Sequence, residues 1–139
     1  MSIPSITPGL LYHDASNAIE WLCRVFGFEK RLVVPGDNAS IVHAHLTLGH
    51  GGIMLSSAET YALPNVCKSP RDVGGIGTAE LIVFVSDPDA HYMHALSEGA
   101  EILIPIEDKP YGGRGYTCKD PEGHVWAFGS YNAWASGGT

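Results

Sequence analysis

The chain carries one pattern twice. Leu10 to Asp14 is an apolar stretch ending in aspartate, followed by a helical pattern and then Gly27, Phe28 and Glu29. Ile82 to Asp87 is a second such stretch, followed by a second helical pattern and then Gly99, Ala100 and Glu101. The Asp-to-Gly spacing is 13 residues in the first copy and 12 in the second. Gly51 follows Gly27 by 24 residues, Gly123 follows Gly99 by 24, and each opens an apolar strand. A repeat of about 72 residues in a chain of 139 implies two copies of one supersecondary unit. Such a unit leaves an apolar face that it cannot bury alone, so the copies are expected to share a core and to build a site between them.

Local signals give the content of each copy. Residues 6–12 read as a strand and Asp14 as a helix N-cap. Ala15, Ala18, Ile19, Leu22, Val25 and Phe26 then recur at helical spacing, and Gly27 sits where a C′ glycine belongs. Phe28–Val34 is strand-like up to the turn cluster Pro35 to Asn38. Ile41–Leu48 alternates, with Val42, Ala44, Leu46 and Leu48 on one face and His43, His45 and Thr47 on the other. Ile53–Ser56 returns as a fourth strand. In the second copy Leu81–Val85 is a strand, Asp87 and Pro88 start a helix, and Gly99 ends it. Asp89, Tyr92, Met93 and Leu96 share one face of that helix. Strands are expected at Glu101–Ile106, Gly115–Lys119 and Val125–Tyr131, with a hairpin turn at Asp120 to Gly123. The expected organisation is a first βαβββ module at 1–57, a linker loop at 58–77, a second module at 78–131 and a mobile tail at 132–139. The fold class is α+β.

Composition narrows the function. A net charge of −7 argues against nucleic acid, which demands a basic surface, and is compatible with a cationic ligand. Cys23, Cys67 and Cys118 match neither a zinc motif nor a disulfide framework, so reduced thiols in a cytoplasmic protein are expected. No apolar run is long enough for a membrane span, and no secretion signal is evident.

Two βαβββ copies joined by a linker resemble the vicinal oxygen chelate superfamily, over roughly residues 5–131. The most specific pieces are His43 to Gly49 with Ile53 to Leu55, and Gly113 to Tyr116 with Asp120 to Gly129. Both are similar to the glyoxalase and bleomycin-resistance branch rather than to the dioxygenases. The resemblance implies a half-open, concave sheet barrel with helices outside, often completed across a homodimer. In metal-dependent members, the first and last strands of each copy supply ligands to a divalent metal that polarises substrate oxygens. By register those four positions fall at Thr7, Met54, Glu80 and Ala127. Only Glu80 is a suitable ligand, and one carboxylate does not hold a catalytic metal. The expectation is therefore a groove with no metal and no cofactor.

That groove is expected to use Met54, Ile82, Phe84 and Tyr116 as apolar wall and His43, His45, Thr47 and Glu80 as polar groups. Tyr111 is a candidate lid aromatic on a glycine-rich loop. Arg114 either fixes a protein carboxylate (Glu80, Glu107 or Asp108) or holds an anionic ligand group. Glu80 is either a solvated strand end or the partner of a ligand cation. His43 and His45 are either half-exposed groove residues or, with Glu80, a relocated site for one divalent metal ion. His91 and His94 read as a solvated helix surface, Cys118 as a structural thiol and Trp126 as core. The leading reading is a homodimeric small-molecule-binding protein of the bleomycin-resistance type, with a cationic drug or metabolite as ligand. The alternative is a metal-dependent glyoxalase-like lyase, isomerase or dioxygenase at His43, His45 and Glu80.

Overall fold

A computed structural model describes residues 3–134. The end of the expected mobile tail, from 135 onward, lies outside the described residues. The chain divides into two compact units, Met1–Ile76 and Gly77–Thr139.

The first unit runs β1 (Gly9–Tyr12), α1 (Ala15–Phe26), β2 (Glu29–Pro35), β3 (Ile41–Leu48) and β4 (Gly51–Ser57). Its sheet has the order β1-β4-β3-β2, with β1 parallel to β4 and the other pairs antiparallel. The second unit repeats this as β5 (Glu80–Phe84), α2 (Pro88–Ser97), β6 (Glu101–Asp108), β7 (Arg114–Lys119) and β8 (Val125–Gly129), in the order β5-β8-β7-β6. Each unit is thus one βαβββ module, and the α+β class holds.

Both helices begin on an aspartate. Asp14 accepts the Asn17 N–H and Asp87 the Ala90 N–H, each at 3.1 Å. Gly27 ends α1 at φ 91°, a left-handed conformation that disfavours any side chain. The six apolar positions of α1 all lie buried against their sheet. Ala44, Leu46, Ile53 and Leu55 meet them from the sheet side, cross-strand neighbours in the pairs Ala44–Leu55 and Leu46–Ile53. Val42 is 58% exposed because the pairing with β2 skips it: Val34 is opposite His43 and Pro35 opposite Ile41, so a bulge at Val42 turns it outward and Ile41 is buried instead.

Some expected boundaries shift. The strand anticipated over 6–12 begins at Gly9, although the Pro8 carbonyl already accepts the Met54 N–H at 2.9 Å. The final strand stops at Gly129 rather than Tyr131. Residues 58–77 contain short 3-10 turns at Ala58–Thr60 and Pro70–Val73, with Ser69 and Pro70 buried. His13 Nε2 meets Asp72 at 2.8 Å and ties the second turn to the start of α1.

The buried face of α2 differs from expectation. Met93 and Leu96 are 61% and 45% exposed, while Ala95 is fully buried and His91 and Tyr92 are partly so. The reason lies in the sheet beneath. Tyr116 on β7 and Phe128 on β8 are opposite each other, and Trp126 stacks parallel to Phe128. This aromatic floor takes the His91 ring 4.2 Å from Phe128 and pairs its Nδ1 with the Tyr116 hydroxyl at 2.6 Å. A methionine there would leave the buried phenol without that partner. His91 is thus part of the helix–sheet contact, not of a solvated surface. His94 is exposed, as expected.

Candidate functional site

Strand parity divides each sheet into a face under its helix and an open face. In the second unit Leu81, Val83, Trp126, Phe128, Tyr116 and Cys118 share the helix face. Glu80, Ile82 and Phe84 on β5, Ala127 on β8 and Thr117 on β7 share the open face, with Ile82 opposite Ala127 and Thr117 opposite Ala127. The open side is strongly apolar: Ile82 is 80% exposed and Phe84 55%.

A pocket of about 180 Å³ lies in this unit. Ile82, Ile104, Thr117 and Ala127 line its middle. Glu80 stands toward one end, beside Val125, and carries no ion pair among the described residues. Lys109, Tyr111 and Tyr131 also line it. Lys109 is tied to Glu107 at 2.9 Å, so its charge is compensated.

The glycine-rich turn is braced rather than loose. Lys109 N–H donates to the Gly113 carbonyl at 2.9 Å, the Ser130 N–H donates to the Arg114 carbonyl at 2.9 Å, and the Arg114 N–H donates to the Ser130 hydroxyl at 3.0 Å. Gly113 has φ 71°, and a Cβ there would sit 2.7 Å from the Tyr131 nitrogen, so only glycine fits. Tyr111 meets Tyr131 edge to face, ring centres 5.1 Å apart. Tyr111, the candidate lid aromatic, is 62% exposed beside Tyr131 on this turn.

Tyr116 and Arg114 also line the pocket, but their polar groups are engaged on the helix side. The Tyr116 ring is 1% exposed and lies under α2, because its cross-strand partner Phe128 belongs to the helix face. Burial drives the Tyr116 phenol far above its ordinary range, which suits a structural, permanently neutral hydroxyl. Arg114 donates to both carboxylate oxygens of Asp89 on α2 at 3.1 Å and to Asp108 at 2.9 Å. Asp108 was among the expected partners, and Asp89 was not. The Arg114 guanidinium is pulled further above its ordinary value by these bonds and serves as a clamp between β7, α2 and β6.

In the first unit, His43, His45 and Thr47 lie on the open face with Met54, which is opposite His45. The His45 ring lies over Gly52, where a Cβ would come within 3.2 Å of Nε2. Both histidines are partly buried.

The metal positions implied by the resemblance can be checked by register. Gly9 is opposite Met54 and Ile82 is opposite Ala127, so Thr7 and Glu80 occupy equivalent places two residues earlier. Thioether, methyl, hydroxyl and one carboxylate do not make a donor set for a hard divalent ion. Among the described residues no three His, Cys, Asp or Glu side chains group as a metal-holding cluster. His43 and His45 belong to one unit and Glu80 to the other.

Ile104, Lys109, Thr117, Ala127 as a lining residue, and Tyr131 were missed from the sequence. Thr117, Ala127 and Tyr131 had a usable signal, since they alternate with the core residues Cys118, Trp126 and Phe128. Lys109 and Ile104 had none: one comes from a turn, the other from a strand whose register shifts twice.

The family profile of the Glyoxalase/Bleomycin resistance protein/Dioxygenase superfamily matches residues 3–128. The chain is 36% identical to TioX from Micromonospora sp. ML1, whose crystal structure superposes with a TM-score of 0.73 over 93% of this chain and 98% of that one. A glyoxalase/bleomycin resistance protein/dioxygenase from Nocardioides shares the fold at 22% identity, with a TM-score of 0.69 over 100% of this chain and 91% of that one. An uncharacterized protein of Mycobacterium tuberculosis H37Rv is 29% identical over 126 residues, 91% of this chain and 74% of the relative. With the duplicated module and its register on the same side of the comparison, the chain belongs to the glyoxalase/bleomycin resistance protein/dioxygenase superfamily.

Proposed function

We propose that this chain is a cytoplasmic small-molecule-binding protein of the bleomycin-resistance type, which binds on its open sheet faces without the family's metal chemistry. One observation carries the reading. An open face with Ile82 and Phe84 exposed lies where a metal-using relative would keep ligands, and of the residues at those positions only Glu80 is a ligand for a hard ion, which is too few to hold one. Apolar side chains left in water beside a few polar groups are the usual lining of a ligand site. The unpaired carboxylate of Glu80 and the net charge of −7 favour a cationic ligand over an anionic one.

Metal content and dye binding test this together. Protein purified without a His tag is expected to hold only substoichiometric metal and to show no thermal shift with nickel, zinc, iron or manganese. It is expected to bind the uncharged dye Nile red, with binding lost in Ile82→Asp. Stoichiometric metal that disappears in a His43→Ala/His45→Ala variant would overturn the proposal in favour of a metal enzyme.

A further inference from the structure

The pocket of the second unit has two chemically different ends, and the sheet register sets the distance between them. Glu80 is opposite Val125, at the start of β8. Phe84 and Gly115 are both opposite Gly129, at its end. Four strand steps at about 3.3 Å each separate those two levels, a span of roughly 13 Å. Just past the far level, two residues after Gly129, comes Tyr131, in edge-to-face contact with Tyr111; the two are 39% and 62% exposed. Between the ends the lining is Ile82, Ala127, Thr117 and Ile104, which offers one hydroxyl and otherwise hydrocarbon.

The charges near this pocket are not equivalent. Lys109 is neutralised by Glu107, and Arg114 is held by Asp89 and Asp108. Glu80 has no such partner among the described residues, so it is the uncompensated charge of the site. The tyrosines offer ring area with little entropy left to lose, because the turn carrying Tyr111 is closed by backbone hydrogen bonds and seated on Tyr131.

We infer that the ligand of this pocket is an elongated amphipathic cation: a flat aromatic ring held by the Tyr111–Tyr131 pair, an apolar spacer over Ile82 and Ala127, and an ammonium group at Glu80. The inference rests on the small-molecule-binding reading above and specifies its ligand class. Tyr131 becomes a specificity residue for ring shape, and Glu80 for charge.

Three fluorescent probes test it. Dansylcadaverine has a ring and an ammonium joined by a five-carbon chain, which suits the span. Dansyl ethylenediamine has the same groups set close together, and dansyl hexylamide has the chain without the charge. Dansylcadaverine is expected to bind tightest, read from dansyl emission. Glu80→Gln should weaken it about threefold to fivefold, the worth of one exposed ion pair, and leave dansyl hexylamide unchanged. Tyr131→Ala should weaken both long probes about tenfold. Melting temperatures of the variants confirm that each is folded. If the charged and uncharged long probes bind alike and Glu80→Gln changes neither, the cation assignment fails while the binding reading stands. Equal affinity for the two amines sinks the spacing. If no dansyl probe binds while Nile red does, the ligand class is wrong; if neither binds, the binding reading falls with it.

Discussion

Asp120 shows how one buried side chain can define a turn. It is 3% exposed. One carboxylate oxygen accepts the Glu122 and His124 N–H groups at 3.0 and 3.1 Å, and the other accepts the Trp126 indole N–H at 3.1 Å. Gly123 completes the turn at φ 104°. Asp120→Asn keeps the shape but places an amide N–H₂ against one set of donors. Urea unfolding is expected to show a loss of about 1–3 kcal/mol, the usual result of stranding a buried polar group. The same substitution made in a Trp126→Phe background should cost less, because the indole donor is already gone. Equal losses in both backgrounds would place the effect elsewhere.

Two other buried groups tie stability to pH. Burial pushes the Cys118 thiol up to about 12 from an ordinary 9.0, and raises the Tyr116 phenol from an ordinary 10.0. Both are acids whose neutral form the fold favours. Below the unfolded values both states hold these protons and the stabilisation is complete. Above pH 9 the unfolded chain releases the thiol proton while the native state retains it, so stability falls as pH rises towards 12. The phenol adds to the loss above pH 10. Cys118→Ala should flatten the first part of that decline in denaturation midpoints measured from pH 8 to 11. At neutral pH, Ellman's reagent should react with exposed Cys67 in the native protein and reach Cys118 only on unfolding.

At the scale of elements, the helix ends are the most local devices in the chain. Asp14 and Asp87 cap equivalent helices in the two units by the same bond. Asp14→Ala and Asp87→Ala should each cost about 1 kcal/mol in chemical denaturation, and the double variant about the sum, since each cap belongs to its own unit. These caps could be read from the sequence because a cap depends on four consecutive residues. The buried stripe of α1 could be read for a similar reason, since an aliphatic sheet face accepts whatever aliphatic stripe the helix presents. The inward face of α2 could not. Its sheet presents Tyr116, Phe128 and Trp126, and that floor selects His91 and Tyr92 over Met93 and Leu96. Periodicity ranks side chains by hydrophobicity and is blind to a phenol that needs an acceptor. The same blindness hid the direction of the Tyr116 ring: the strand's parity was visible, but which parity faced the helix was fixed by its pairing with β8. Ile82 and Glu80 were legible because β5 follows the repeat closely; Phe84 shares their face and does not line the pocket. Lys109 depended on a turn conformation that only tertiary contacts define.

At the scale of the molecule, the open faces pose a solvation problem that the repeat itself creates. Each module buries one side of its sheet under one helix and has no second layer of its own. In the second unit that leaves Ile82 and Phe84 80% and 55% exposed, and in the first it leaves Met54 38% and Leu32 49% exposed. Contiguous apolar surface of this kind is uncommon on a lone soluble chain and is normally covered by a ligand or another protein surface. A small ligand in a pocket of about 180 Å³ covers the middle of one face and little of its edges. A second copy of the chain would cover more, and the duplicated topology gives matching faces from which a two-fold contact can be built. We therefore expect a homodimer at micromolar concentration in sedimentation equilibrium. Phe84→Asp should shift it towards monomer, because a carboxylate set into an apolar contact must be desolvated without a partner. Glu80→Gln should leave the assembly intact, since Glu80 contributes charge rather than apolar area. A wild-type monomer throughout that range would mean that the exposed face serves ligand alone, and Phe84→Asp would then impair Nile red binding without any change in mass.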